Sequence, residues 1–336
     1  MKPETVPEPG REAGVGANAA TLLVRVKSVT HEAQGVLSYD LRPVLGRELP
    51  AFTAGAHIDL HLPNGLVRSY SLVNPQEERH RYVIAVQLDP ASRGGSRFIH
   101  ETLRPGDTLP ISPPRNNFPL VEDAWHSLFI AGGIGITPIW CMIQRLEALE
   151  RSWELHYCTR TRQSAAFLEP LRALGAKVNV DLHFNFDQEP GGRMLDIAAV
   201  VARADPETHL YCCGPVSMLE AFERACAERP PAYVHVEYFS ARKAPAAAGG
   251  FTVVLARSGL SFAVPKGKTI LDTLIDHGVD VPYSCMEGVC GTCEARVLEG
   301  VPDHRDLVLS KEEKASNRSI ILCCSGSRTS RLVLDL

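Results

Sequence analysis

Three cysteines stand within nine residues of the stretch "PYSCMEGVCGTCEA": Cys285, Cys290 and Cys293, spaced Cys-x4-Cys-x2-Cys. Two more, Cys323 and Cys324, begin after 29 further residues. Thiols gathered this way do one of three things: form a disulfide staple, hold zinc, or hold an iron–sulfur cluster. The opening segment "MKPETVPEPGREAGVGANAA" lacks the apolar core of a secretion signal. A cytoplasmic location is therefore expected, where thiols stay reduced, and that removes the staple. Zinc sites usually pair one Cys-x2-Cys with a second pair or with histidines. Here a single Cys-x2-Cys has one cysteine five positions upstream and a lone partner far downstream, the asymmetry of a 2Fe–2S cluster. Gly288 and Gly291 let such a loop turn tightly enough to aim N–H groups at sulfur. A structural zinc is the competing reading, and it would make the chain a redox-sensing or interaction protein.

A second group of residues suits a different ligand. In "AGGIGITP", Gly132, Gly133 and Gly135 allow close approach of backbone to ligand. Thr137 and Pro138 are expected to open a helix, proline fitting its first position. The N–H groups and dipole at such a helix start favour a pyrophosphate. The strand-like "HSLFIA" precedes the turn, and the order strand, turn, helix points to a dinucleotide, although the spacing is not the Rossmann one. Another glycine turn, "RGGS" at 93–96, presents N–H groups and Ser96 to an anion.

Folded elements must position these residues, and the chain has room for several. Its 336 residues exceed one ordinary core, so two or three domains are expected. Apolar content of 45% and charged content of 22% fit a folded protein. A net charge of −4 offers no footprint for nucleic acid, and no run of about 18 apolar residues suggests a membrane span. Residues 1–20 read as a disordered tail. From 21 to 122, short alternating runs such as "TLLVRVKSVT" and "RYVIAVQLD" predict a small antiparallel β-barrel. From 123 to 240, strands alternate with helical stretches, "SAAFLEPLRAL" and "RMLDIAAVVA" among them, which predicts a parallel α/β sheet. A Pro/Ala/Gly linker at 241–250 leads to a last domain, 251–336, with one helix at "TILDTLIDHG" before the cysteine loop.

The motifs also carry a family resemblance. "YSCMEGVCGTCEARVLEGVPDHRD", with "ILCC" and "LVLDL" behind it, resembles plant-type ferredoxin domains, which have the β-grasp fold. The family interval makes Cys323 the fourth ligand beside Cys285, Cys290 and Cys293, and leaves Cys324 a packed neighbour. The middle segment resembles the NAD(P)H-binding half of the ferredoxin–NADP reductase superfamily, whose second signature is "YCCGP" at 211–215. By that resemblance Cys213 and Gly214 face the nicotinamide and Pro215 begins a helix. Thr159 and Arg160, in "CTRTRQSAAF", lie by the ribose and phosphates. Arg160 and Arg162 leave NADPH possible beside the NADH that the family favours. "RSYS" at 68–71 resembles the superfamily's flavin motif. There Arg68 pairs with a phosphate, Ser69 belongs to the cofactor-binding set, Tyr70 stacks near the flavin, and Ser71 offers a hydrogen bond near the reactive ring nitrogen. Ala85, Val86 and Gln87, with Arg93, Gly94, Gly95 and Ser96, extend that site, and Phe239 in "VHVEYF" covers the flavin face. Ser71, Cys213 and Phe239 are the expected catalytic positions. No insertion with aromatic contacts for an adenine is visible, which favours FMN.

The order of flavin barrel, nicotinamide domain and ferredoxin domain resembles the phthalate dioxygenase reductase type, which includes vanillate demethylase reductases, over nearly all the chain beyond residue 20. Nicotinamide releases electrons in pairs, whereas a cluster poised on the order of −400 mV takes one. A flavin bridges that mismatch. The resemblance implies a monomeric reductase serving a separate terminal oxygenase. That partner carries a Rieske centre and hydroxylates or O-demethylates an aromatic or similar small molecule; a haem monooxygenase is the near alternative. "CCSGS" departs from the family text and leaves the partner contacts open. His57 and His61 stand about 13 Å apart if "HIDLH" is a strand, too far to share one ion, and are read as strand residues. Cys141, Cys158 and Cys226 are read as small core residues.

Overall fold

Alternating burial shapes the N-terminal unit. In this computed structural model, which describes residues 21–45, 48–90, 92, 94–175, 181–239, 246 and 249–336, strand β1 (Leu22–Ala33) buries Val24 and Val26 and exposes Arg25 and Lys27. It joins β2 (Val36–Pro43), β3 (His57–His61), β4 (Val67–Ser71), β5 (Tyr82–Gln87) and β6 (Thr108–Ile111) in a six-stranded antiparallel sheet of order β4-β3-β6-β1-β2-β5. The two ends meet where Leu72 bridges Ile84 and the Val73 N–H donates to the Val83 carbonyl at 2.9 Å. Closure removes the free edges and leaves a small barrel, with helix α1 (Gly95–Thr102) across one mouth.

The middle unit is a parallel sheet of β7 (His126–Gly132), β8 (Ser152–Thr159), β9 (Asp181–Phe186), β10 (His209–Cys213) and β11 (Val234–Glu237), in the order β11-β10-β7-β8-β9. Helices α2 (Ile136–Ala148) and α3 (Leu168–Gly175), then α4 (Ile197–Arg203) and α5 (Val216–Ala225), link the strands. The chain runs outward from β7 to β9 and then crosses back to β10, so strand order reverses between β7 and β10. A crevice outside the carboxyl ends of the strands at such a reversal is where ligands bind. Leu128, Ile130, Leu210 and Cys212 form one core with α4 and α5. Phe129, Leu155, Tyr157 and Tyr211 face the other way and belong to the same core as the barrel.

Three helices start elsewhere than the sequence suggests. A 3₁₀ turn over Gly133–Gly135 runs straight into α2, so Pro138 occupies the third helical position rather than the first. First-turn N–H groups have no intrahelical acceptor, so proline loses nothing there. "SAAFLEPLRAL" turns helical only at Leu168, after a separate 3₁₀ turn at Arg162–Ser164. "RMLDIAAVVA" starts at Ile197 because Asp196 caps it, accepting from the Ala199 N–H at 3.0 Å.

The last unit is a mixed sheet of β12 (Phe251–Leu255), β13 (Ser261–Val264), β14 (Glu294–Glu299), β16 (Ser319–Ile321) and β18 (Arg331–Leu334), ordered β13-β12-β18-β14-β16. Strands β15 (Pro302–Asp303) and β17 (Gly326–Ser327) pair separately. Parallel β12 and β18 sit at the centre, and α6 (Ile270–Asp276) packs Ile270, Leu271 and Leu274 onto the sheet, giving a β-grasp. "KEEK" lies in a short helix, α7 (Lys311–Ser316), started by a capping box between Ser310 and Glu313. This unit has its own core. The expected tail, 1–20, and all of the expected linker but Ala246, Gly249 and Gly250 fall outside the described residues. No helix among the described residues is long and apolar enough to cross a membrane.

Gly55 sets the turn into β3 at φ 94°, and a Cβ there would lie 1.9 Å from the Phe118 carbonyl oxygen. Gly55→Ala is expected to cost about 3 kcal/mol, from left-handed strain plus a backbone clash. A drop in melting temperature, read by circular dichroism, checks this; an unchanged midpoint would refute it.

Candidate functional site

A cavity of about 630 Å³ opens where the three units meet. The barrel supplies Arg68, Ser69, Tyr70, Ser71, Ala85, Gln87, Gly95 and Ser96 to its wall. The parallel sheet supplies Ile134, Thr137 and the run Val236–Phe239, and the last unit supplies Cys285, Cys290 and Val308. Residues from all three sequence motifs therefore share one space.

On the barrel side an anion cradle is visible. The Arg68 side chain crosses Gly95 so closely that a Cβ on Gly95 would come 2.5 Å from Arg68 Nε. Gly94, at φ 94°, caps α1, whose first N–H groups point to the same end. The Ser96 hydroxyl is held in place, donating to Ser92 Oγ at 3.0 Å and accepting from the Asp89 N–H at 3.3 Å. A guanidinium, a helix start and a hydroxyl together suit the single phosphate of FMN. Tyr70 and the buried Ser71 line the cavity, and burial pushes the Tyr70 hydroxyl above its ordinary range, so it stays neutral. Val86 departs from expectation. Its side chain is fully buried and does not line the cavity, and its carbonyl is held 2.8 Å from His100 Nε2. A strand alternates its faces, so with Ala85 and Gln87 at the cavity the side chain between them points into the barrel. Arg93 lies outside the described residues.

On the nucleotide side two turns pack on each other at the strand-order reversal. A Cβ on Gly135 would lie 2.2 Å from the Cys213 carbonyl oxygen, one on Gly132 2.6 Å from Pro215 Cδ, and one on Gly214 3.0 Å from Gly132 Cα. These glycines are small because another turn occupies the space a side chain would need. Only Gly133, at φ 54°, faces open space, so the expectation that all three glycines make room for ligand is corrected. Pro215 caps α5 instead of starting it. Thr137 is buried at the cavity and donates to the Ile134 carbonyl at 2.9 Å. Thr159, also buried, donates to the Thr161 carbonyl at 2.9 Å. Arg160 is exposed just beyond the carboxyl end of β8, and Arg162 sits over the Phe186 ring, 5.1 Å from its centroid. Thr159, Arg160 and Arg162 lie along the carboxyl edge of the sheet, outside the cavity wall.

Cys213 is fully buried and does not line the cavity. Its Sγ stands 4.0 Å from Glu237 Oε2, and Glu237 is the residue that reaches the wall. Glu237 keeps part of its surface toward the cavity, but its carboxyl is enclosed by protein, and that burial raises its pKa to about 8. It is thus a neutral acid near pH 7. Phe239 follows at the rim, 39% exposed. Glu237 was missed, although a lone acid within the strand "VHVEYF" was the available signal.

The cysteine loop is wound for sulfur. Met286, Gly288 and Gly291 take φ values of 55°, 71° and 77°. The Glu287 N–H donates to Cys285 Sγ at 3.3 Å, joined there by the N–H groups of Val289 and Cys290. Cys285 bonds to Cys290 and Cys323 through their thiols, and Cys293 bonds to Cys323, which holds Cys285 and Cys293 below the usual thiol range. Cys324 instead turns toward the Ile321 carbonyl and the Ser325 hydroxyl. It fills the space beside Gly288, where a Cβ would come 2.5 Å from its Sγ. Four converging thiols ringed by backbone donors fit a 2Fe–2S cluster.

His57 also lines the cavity, buried, with its Nε2 lacking a hydrogen-bond partner in the protein. Burial, then the Arg115 charge, push its pKa down, so it is neutral. It is a strand residue, as expected, but its place at the site was not foreseen; alternation of polar residues in "HIDLH" looks like any half-exposed strand.

Comparison with known proteins agrees with this geometry. Residues 129–224 match the oxidoreductase NAD-binding domain, and residues 253–326 the 2Fe-2S iron-sulfur cluster binding domain. The phenoxybenzoate dioxygenase subunit beta of Ectopseudomonas oleovorans is 53% identical over 95% of this chain and 99% of its own. The solved phthalate dioxygenase reductase is 38% identical with a TM-score of 0.76, covering 94% of this chain and 98% of that one. An intact type IV self-sufficient cytochrome P450 monooxygenase is also 38% identical, TM-score 0.78, covering 97% of this chain and 43% of that one. The fold and site are those of a modular flavin and iron–sulfur reductase. The chain belongs to the phthalate dioxygenase reductase family, the reductases of oxygenase systems, which work with NADH, FMN and a 2Fe–2S cluster.

Gly95→Ala should displace Arg68 and weaken FMN binding by about tenfold, or 1.4 kcal/mol, in fluorescence titration of the apoprotein; unchanged affinity would refute the cradle. Glu237 makes a second prediction. Because its folded pKa is raised, its contribution to stability is present in full below pH 4.5 and is lost as pH rises through about 8. Glu237→Gln cannot ionise, so its melting temperature should hold where the wild type declines. Parallel pH profiles would show the carboxyl to be solvated.

Proposed function

We propose that the chain delivers electrons from NADH to a separate Rieske-type oxygenase that hydroxylates or O-demethylates an aromatic or similar small molecule. The convergence of Arg68–Ser71, Glu237–Phe239 and the Cys285–Cys290 loop on one cavity carries the reading. When bound, the flavin takes an electron pair from nicotinamide and yields single electrons to the cluster. The protein binds, orients and shields. Arg68, Gly94, Gly95 and Ser96 hold the flavin phosphate, and Tyr70, Ser71, Ala85 and Gln87 border its ring. The turn at Gly132–Thr137 and the Cys213–Gly214 turn form the nicotinamide crevice, with Thr159 and Arg160 on the side of the ribose and phosphates. Phe239 covers the opening, and Glu237, protonated near pH 7, receives the Cys213 thiol on its Oε2 at the back. Cys285, Cys290, Cys293 and Cys323 hold the cluster at the cavity's edge. In this reading the working units are 21–122, 123–240 and 251–336, and the protein acts as a cytoplasmic monomer.

Two relatives are named for dioxygenase systems, which favours a Rieske partner, while the likeness to a haem monooxygenase chain supports a second reading in which the acceptor is haem. NADH-reduced protein mixed in a stopped-flow cell with a Rieske oxygenase and, separately, with a P450 haem domain decides between them. Fast oxidation by the P450 alone would overturn the Rieske reading.

Serial order makes a further prediction. Cys293→Ser should leave NADH-driven ferricyanide reduction within about twofold of wild type while lowering cytochrome c reduction on the order of a hundredfold. Equal loss of both would contradict the order of carriers.

A further inference from the structure

The barrel and the cysteine unit bury separate apolar cores. A polar cluster joins them. Asp59, on β3, is 3% exposed and has both carboxylate oxygens engaged. Arg115 Nη2 donates to its Oδ2 at 2.5 Å, and the Ser69 hydroxyl donates to its Oδ1 at 2.7 Å. Both partners also reach across to one residue of the cysteine unit. Arg115 Nη2 donates to Ser284 Oγ at 3.2 Å, and Ser69 Oγ lies 3.2 Å from the same atom. Ser284 is 2% exposed and immediately precedes Cys285.

The barrel side of this cluster is fixed by backbone. The His57 N–H donates to the Arg115 carbonyl at 2.8 Å, and the Arg115 N–H donates back to the His57 carbonyl at 3.0 Å. The Asp59 N–H donates to Ser112 Oγ at 2.9 Å. Neither Arg115 nor Ser284 lines the cavity. A buried ion pair is a poor source of stability, because desolvation offsets most of the attraction. Its value lies in directionality: Arg115 Nη2 and the Ser69 hydroxyl converge on one atom, Ser284 Oγ, where an apolar contact would tolerate sliding. Ser69 belongs to the flavin strand, so the same atoms that touch the "RSYS" motif touch the residue before a cluster ligand.

We propose that Asp59 and Arg115 are positioning residues that clamp the cysteine loop onto the flavin barrel through Ser284, and so set the gap across which electrons leave the flavin. The inference deepens the reductase reading and rests on it. The clamp acts on one step only: what precedes it, from NADH to the flavin, is indifferent to where the cysteine unit sits.

The test uses full-length holoprotein. Ser284→Ala removes the shared acceptor, Ser284→Thr keeps it, and Arg115→Lys keeps a charge for Asp59 but replaces the fork with a single ammonium. Each variant is first checked for flavin and cluster absorption. Ser284→Ala and Arg115→Lys are expected to keep ferricyanide reduction within about twofold and to lose cytochrome c reduction on the order of tenfold, the scale of a misplacement near 1 Å. Ser284→Thr should restore it. Small-angle scattering gives a readout apart from turnover: the radius of gyration should rise in Ser284→Ala and Arg115→Lys, and not in Ser284→Thr. Cytochrome c reduction and scattering both at wild-type values in Ser284→Ala and Arg115→Lys would overturn the clamp. So would a parallel loss of ferricyanide reduction, which would make these residues part of the flavin site itself. A wild-type protein that binds no flavin would instead remove the reductase reading beneath it.

Discussion

Phe118 meets Tyr211 edge-on at 5.8 Å, Tyr211 lies 5.1 Å from Phe129, and the Val121 N–H donates to the Tyr211 hydroxyl at 2.9 Å. This aromatic contact joins the end of the barrel segment to strands β7 and β10, and it is where one continuous core passes between the first two units. Its consequence is geometric. With barrel and sheet built on shared buried rings, the anion cradle at Arg68 and Gly95 and the glycine turns at 132–135 and 213–214 have one relation to each other. In the proposed reading, a flavin in the cradle and a nicotinamide in the crevice would then be brought together by the fold, with no side chain having to reach far. Aromatic pairs of this kind contribute beyond their area through edge and face electrostatics.

The third unit obeys a different rule. Its core is complete in itself, and what it presents to the other two is a cysteine loop and a few polar groups. Pair transfer between stacked rings demands contact and fixed orientation, so the units that perform it share a core. Single-electron transfer tolerates a gap, so the unit that receives it is held by hydrogen bonds. The strength of the joint follows the demands of the chemistry on each side.

Much of this was legible in the sequence because its carriers are local. The spacing of Cys285, Cys290 and Cys293 points to a 2Fe–2S cluster with zinc as the competing reading, and the change from period-two runs to alternating strands and helices separates barrel from parallel sheet. Less legible was anything decided by a distant partner. Gly132 and Gly135 read as space for a ligand, yet they are small because Pro215 and the Cys213 carbonyl press on them from about 80 residues away. Val86 sits in a run of cavity residues, but the alternation of a strand turns it inward. Asp59 and Arg115 carried no local mark, since Ser284, which their cluster reaches, lies about 170 to 225 residues away.

Cys323 and Cys324 show how far that limit extends. Adjacent residues of one type cannot be told apart by composition, and the family interval chooses Cys323 without giving a cause. The chain supplies one. β16 ends at Ile321, and a turn follows it. The Leu322 N–H donates to the Cys293 carbonyl at 3.1 Å, which draws Cys323 in against Cys285 and Cys293. Cys324, one step on, packs against Gly288 where a side chain would otherwise stand, wholly shielded from solvent. Gly288 thus has two duties, a left-handed turn beside the cysteine loop and a space that Cys324 occupies.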